Sequence, residues 1–203
     1  MRQRAPAQQP RLGRVTPQRA GPWFPGEPWP RTGTPGMQIH AACAAREGWG
    51  VLLLGPSGSG KSDLLLRLLQ LGWALVADDR VELESDGASL WASPPLELAG
   101  LLEVRGIGLI RFPALDRAPL ALAIELSPAS AIERLPEPRR WGHRDLAASL
   151  PPPISAPPPT SLPLVALDPW THSAEARLGV ALDLALGRRQ AVASALGDAG
   201  GAR

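Results

Sequence analysis

Three observations predict an α/β fold with a mixed sheet and helices. Residues 51–54 and 73–77 are short apolar runs bounded by turn residues, as buried strands are. Between them, residues 62–71 carry leucines at 64, 65, 66, 68, 69 and 71, too many for one stripe, so this helix is expected to be covered on most sides. Gly55-Pro56-Ser57-Gly58-Ser59-Gly60-Lys61-Ser62 joins strand to helix and has the G-x-x-x-x-G-K-S form of a phosphate-binding loop.

The remaining elements follow in order. Residues 38–44 read as a strand and 46–50 as a turn, giving a hairpin whose second strand feeds the glycine-rich loop. Gly72 closes the leucine-rich helix. The next apolar strand finishes on Asp78-Asp79, and residues 80–84 and 88–91 resemble a hairpin around Ser85-Asp86-Gly87. Residues 101–110 and 120–126 are further expected strands. Residues 136–159 contain two triple-proline runs, which exclude helix and sheet interiors and predict a loop or lid. Near the end, residues 168–173 lead into an amphipathic helix to about Leu186, with Ser173 or Thr171 as its cap and Gly187 as its stop.

With 203 residues, the chain has room for one domain with a real core. It has no apolar run of about eighteen residues and no secretory start, so a cytoplasmic protein without a membrane span is expected. Cys43 is the only cysteine, which excludes an intramolecular disulfide; it is expected to be a small buried side chain in a reducing compartment. Residues 1–36 hold Arg2, Arg4, Arg11, Arg14, Arg19 and Arg31 against Glu27, a net +5; with the chain at +2, the rest is left at −3. The basicity therefore belongs to a Pro/Arg-rich tail, expected to be disordered or to precede a true start at Met37, and the body at 37–203 shows no nucleic-acid footprint.

The chemistry centres on Lys61, the only lysine among twenty-one basic residues. A compact ammonium fits between phosphate oxygens where the planar fork of arginine does not. In such a loop, backbone N–H groups and the helix N-terminus hold a polyphosphate, the lysine neutralises its terminal oxygens, and the Ser62 hydroxyl can ligand Mg²⁺. Asp78 and Asp79 are neighbours at a strand end and point to opposite faces, so they take different roles, one toward nucleotide and metal and the other in support. A carboxylate there could act as general base toward a hydroxyl. Glu103 and Arg105 are two apart on one expected strand, hence on one face among aliphatics, where a charged pair is costly without a purpose. Glu103 could complete a Mg²⁺ shell; Arg105 could hold a phosphate or pair with Glu103. His40 is placed on the strand beside that of the loop.

Four segments, Ile39-His40-Ala41, the loop, residues 75–81 and residues 102–110, resemble the catalytic C-terminal domain of HPr kinase/phosphorylase in order and spacing. The resemblance implies a phosphate-loop kinase fold of the phosphoenolpyruvate-carboxykinase type, ATP and Mg²⁺ as cofactors, and an HPr-like phosphocarrier protein as the partner whose serine is phosphorylated. It also implies that His40 is the active-site histidine, Asp79 takes the proton from the serine, Asp78 supports it, and Glu103 is the second Mg²⁺ ligand. Arg105 lies in the stretch serving both directions of transfer, and Arg134 looks like the family's active-site arginine. Two features depart from the long forms of that family. Only the tail stands where they carry an N-terminal domain, and their P-x-R-P-G-R-N segment corresponds to residues 162–169, which contain no arginine; a kinase without phosphorylase activity is expected. A small-molecule kinase and a non-catalytic ATP-binding sensor remain the alternatives, and self-association is left open.

Overall fold

The computed structural model describes residues 37–86, 89–142, 161–191 and 196. The tail at 1–36 and most of the proline-rich segment lie outside the described residues. In chain order the elements are β1 (Met37–His40), β2 (Ala42–Arg46), β3 (Trp49–Leu54), α1 (Lys61–Gln70), β4 (Ala74–Ala77), β5 (Arg80–Ser85) and β6 (Leu90–Ser93). They continue with β7 (Leu101–Val104), β8 (Gly108–Arg111), β9 (Ala118–Leu126), β10 (Arg139–Gly142), β11 (Ser161–Leu167) and α2 (Ala174–Ala185).

Nine strands form one mixed sheet in the order β1-β5-β6-β9-β3-β2-β4, with β11 pairing both β9 and β10. The long β9 makes this branching geometry. Its first residues run antiparallel to β6, and its later ones run parallel to β3 and to β11. Central strands bury both faces, which is why β3 reads as an unbroken apolar run. Val51 and Leu53 enter a core with Leu64, Leu65 and Leu68 of α1 and Leu178 and Leu182 of α2. Leu52 faces the other way, into a cluster with Cys43, Val81, Leu83, Leu90 and Ala92. Strands β5 and β6 therefore curl over one face of the sheet while the helices cover the opposite face.

The β2–β3 hairpin turns on Glu47 and Gly48, both at positive φ (54° and 83°), the condition for a two-residue turn whose twist matches its strands. The leucine-rich helix is covered at five of its six leucines: Leu64, Leu65 and Leu68 are buried, Leu66 and Leu69 pack against the core, and Leu71, just past the helix end, is exposed. Burial of each such side chain stabilises the fold by about 1.5–3 kcal/mol. Gly72, at φ 83°, follows the helix end, and Gly187, at φ 67°, follows α2. Cys43 is a free, buried thiol, and burial pushes its pKa upward, which makes it an inert packing group.

Five expectations need correction. Residues 38–44 are not one strand: the chain breaks at Ala41, so that β1 pairs β5 while β2 pairs β3 and β4. His40 accordingly lies opposite Arg80 of β5, not beside the strand of the loop. Residues 101–110 are not one strand either, because Gly106 and Gly108 at positive φ fold them into the β7–β8 hairpin. The proline-rich stretch contributes β10 before its triple prolines, paired with β11, whose Pro163 lies opposite Arg140. Ser173 occupies the cap position of α2 but makes no side-chain capping bond; Thr171 donates instead to the Asp168 carbonyl.

Candidate functional site

The loop from Gly55 to Gly60 leaves the carboxyl end of β3 and delivers the chain into α1. Its glycines answer steric demands. A Cβ on Gly55 would stand 2.6 Å from Ser59 Oγ, and Gly60 adopts φ 94° with Pro169 and Trp170 packed against it. The Ser59 hydroxyl is buried with no hydrogen-bond partner, and the first-turn N–H groups of a helix have no partners within it. Unpaired donors around a loop at a helix N-terminus suit a phosphate group.

Lys61 is buried at 6% exposure, and three acceptors hold its ammonium: Gly55 O at 2.8 Å, Pro56 O at 2.9 Å and His40 Nε2 at 3.0 Å. Burial lowers its pKa, while the charges of Asp78 and Asp79 oppose that shift. An ammonium donating to Nε2 leaves the ring proton on Nδ1. That nitrogen reaches both the backbone oxygen of Asp79 at 3.0 Å and its carboxylate Oδ1 at 3.1 Å. A hydrogen-bonded relay thus runs from Lys61 through His40 to Asp79. The sequence pattern could not supply it, because it depends on the β1–β5 pairing.

Asp78 and Asp79 occupy different environments in the bend after β4. Asp78 is buried and accepts a 3.0 Å hydrogen bond from Ser62 Oγ at the start of α1. Asp79 is exposed, at φ 64° in the left-handed region, where aspartate is tolerated better than most residues. Ala41 N–H and His40 Nδ1–H both donate to the Asp79 carbonyl, and Arg80 N–H donates to Asp78 O. The bonds that split the first predicted strand therefore also fix the aspartate corner.

Burial, more than any other influence, raises the pKa of Asp78 above the usual 3.8; the Ser62 hydrogen bond opposes it. The native state thus binds this proton more tightly than the unfolded chain does. The resulting destabilisation is absent below about pH 3.8, grows as pH rises through the raised pKa, and is constant above it. Asp78→Asn keeps an acceptor for Ser62 and removes the charge, so it is expected to melt above the parent at pH 7, with the difference vanishing toward pH 3.8. Melting curves across this range check the sign; a lower melting temperature for the variant at pH 7 would show that the carboxylate is a net stabiliser.

The structure does not bring every expected residue into this cluster. Glu103 is exposed on β7 and Arg105 lies in the following turn, with no ion pair between them, so the expected costly pair on one face does not exist. Arg134 is exposed between β9 and β10. Among the described residues, no group of three His, Cys, Asp or Glu side chains is arranged to hold a metal. Ser62 and Asp78 form an oxygen pair of the kind that holds Mg²⁺ together with phosphate oxygens.

Residues outside the predicted site also shape it. Arg67 of α1 donates to the Pro169 carbonyl and pairs with Glu175 of α2, tying the loop after β11 to the helix of the glycine-rich loop. About a hundred residues of sequence separate these partners, and no local pattern announces their contact.

Fold and site together define an α/β protein whose strand–glycine loop–helix unit presents a lysine to a histidine–aspartate pair. Residues 33–115 match the family described as HPr Serine kinase C-terminal domain. The chain is 41% identical over 81 residues to HPr kinase/phosphorylase of Clostridium tetani, covering 40% of this chain and 27% of that protein. It is 45% identical over 73 residues to the HPr kinase/phosphorylase of Streptococcus thermophilus, covering 36% and 24%. The chain thus spans about a quarter of the length of these curated relatives. The solved Hpr(Ser) kinase/phosphatase of Coxiella burnetii shares the fold, with a TM-score of 0.57 at 22% identity over 75% of this chain and 90% of that one. The resemblance read from the sequence is therefore present in both sequence and fold. No helix among the described residues is long and apolar enough to cross a membrane.

Proposed function

We propose that the protein is an ATP- and Mg²⁺-dependent serine kinase acting on an HPr-like phosphocarrier protein. The observation that carries this reading is the relay Lys61–His40–Asp79, which joins the cation of a phosphate loop to an exposed carboxylate. Similarity to proteins named HPr kinase/phosphorylase supports it.

In this reading the loop N–H groups and Lys61 hold the β- and γ-phosphates, and Lys61 exchanges its carbonyl partners for phosphate oxygens. His40 holds the Asp79 carboxylate through Nδ1–H. Asp79 accepts the proton of the incoming serine hydroxyl, whose oxygen bonds to the γ-phosphorus as the bond to ADP breaks. The exposure of the Asp79 side chain, 64%, favours a hydroxyl presented by a protein surface over one on an enclosed metabolite. Ser62 and Asp78 would hold Mg²⁺, which supplies charge neutralisation on the phosphates. Glu103, Arg105 and Arg134, exposed and unpaired among the described residues, are available to the bound substrates; Glu103 is retained as the further Mg²⁺ ligand. The absence of arginine from residues 162–169 supports transfer in the kinase direction alone.

Incubating the purified protein with Mg·ATP and an HPr-like protein should yield acid-stable phosphoserine on the carrier. Nucleotide binding without transfer would favour a sensor, and a phosphorylated metabolite would favour a small-molecule kinase.

A further inference from the structure

Strands β3, β9 and β11 run parallel, so the loops that follow them emerge on the same edge of the sheet. Ligands of open α/β sheets bind outside such carboxyl ends. The first of these loops is the phosphate loop, and the third begins at Asp168 and carries Trp170. Trp49, Trp91 and Trp141 are partly buried and Trp73 is buried, whereas Trp170 is 65% exposed. Its ring nevertheless lies against the phosphate loop: a Cβ on Gly60 would stand 3.0 Å from the indole Cζ2 and 3.1 Å from Pro169 Cγ.

The backbone that carries the indole is anchored on both sides. Asp168 accepts from Trp170 N–H at 2.9 Å and from Ala129 N–H of the loop after β9 at 3.0 Å, so one carboxylate fastens two loops. Arg67 donates to the Pro169 carbonyl from the helix that the phosphate loop caps. An aromatic face fixed to the loop that holds the phosphates, yet open to solvent, has the properties of a base-stacking surface.

We propose that Trp170 is the surface on which the base of the bound nucleoside triphosphate stacks. This inference rests on the phosphate-loop reading above and adds the position of the base, which lies beyond the phosphates toward β11. Stacking is largely indifferent to base identity, so Trp170 confers affinity for a nucleotide over an inorganic polyphosphate.

Calorimetric titration of the parent, Trp170→Phe and Trp170→Ala with ATP and with inorganic tripolyphosphate, each with Mg²⁺, tests it. Trp170→Ala is expected to weaken ATP about tenfold while leaving tripolyphosphate unchanged, and Trp170→Phe to retain most of the ATP affinity. Unchanged ATP affinity in Trp170→Ala overturns the proposal, as does a parallel loss of both ligands, which would assign the residue to support of the loop. Tripolyphosphate bound by all three proteins would leave the phosphate-loop reading standing even then. A parent that binds neither ligand overturns both readings.

Discussion

Lys61→Arg is expected to lower phosphotransfer by a factor on the order of 10²–10³, although the charge is kept. The ammonium reaches Gly55 O, Pro56 O and His40 Nε2 at 2.8–3.0 Å from a buried position, and a guanidinium needs a wider, planar set of acceptors. Its bulk would displace either the loop carbonyls or the His40 ring, and loss of the His40 contact would release Asp79. The loss should therefore appear in both nucleotide affinity and turnover. Calorimetry and a single-turnover assay separate the two, and a variant equal to the parent in both would remove the phosphate-loop assignment.

Asp79→Asn should reduce transfer to the carrier by about 10²–10⁴ while leaving nucleotide affinity close to that of the parent. Asparagine retains an oxygen for His40 Nδ1–H and tolerates φ 64°, so the corner between β4 and β5 is expected to persist. It cannot accept the serine proton as a carboxylate does. The pattern that checks this role is a lowered kcat with an unchanged melting temperature and an unchanged Kd for ATP. Undiminished kcat would assign the base to another group, with the buried Asp78 next in line.

The fold was legible wherever one local rule governed. The apolar run of β3, the glycine-rich loop and the leucine-rich helix form a contiguous unit, and each element agrees with its neighbour in the structure. Gly48 in the β2–β3 turn and the stops at Gly72 and Gly187 follow from the freedom of glycine at positive φ. Errors arose where apolar composition continued through a backbone break. Residues 38–44 look like one strand because Ala41 is as small and apolar as its neighbours, yet its N–H turns to the Asp79 carbonyl and the chain changes pairing partners there. Residues 101–110 alternate charge and aliphatic side chains as a strand does, but the glycines at 106 and 108 fold them into a hairpin.

The site divides along the same line. Lys61, Ser62, Asp78 and Asp79 could be singled out because local pattern and chain order mark them, whereas the separate environments of the two aspartates arise in the bend after β4, where Asp78 is buried and Asp79 takes φ 64°. The joining of His40 to Lys61 and Asp79 could not be derived from spacing, since it needs β1 laid against β5. The same limit kept the Asp168–Trp170 loop out of the predicted site, because its contact with Gly60 comes from the parallel pairing of β3, β9 and β11.

The sequence by itself determined the glycine-rich loop, its strand and helix, and the acidic pair, because their requirements are steric and local: glycines where a Cβ would collide, a compact cation, and carboxylates at a strand end. Only the tertiary structure decided that a histidine twenty-one residues before the lysine joins it to Asp79, and that a tryptophan far along the chain lies against the loop. Strand pairing is a non-local choice, set by which apolar faces bury one another across the whole chain.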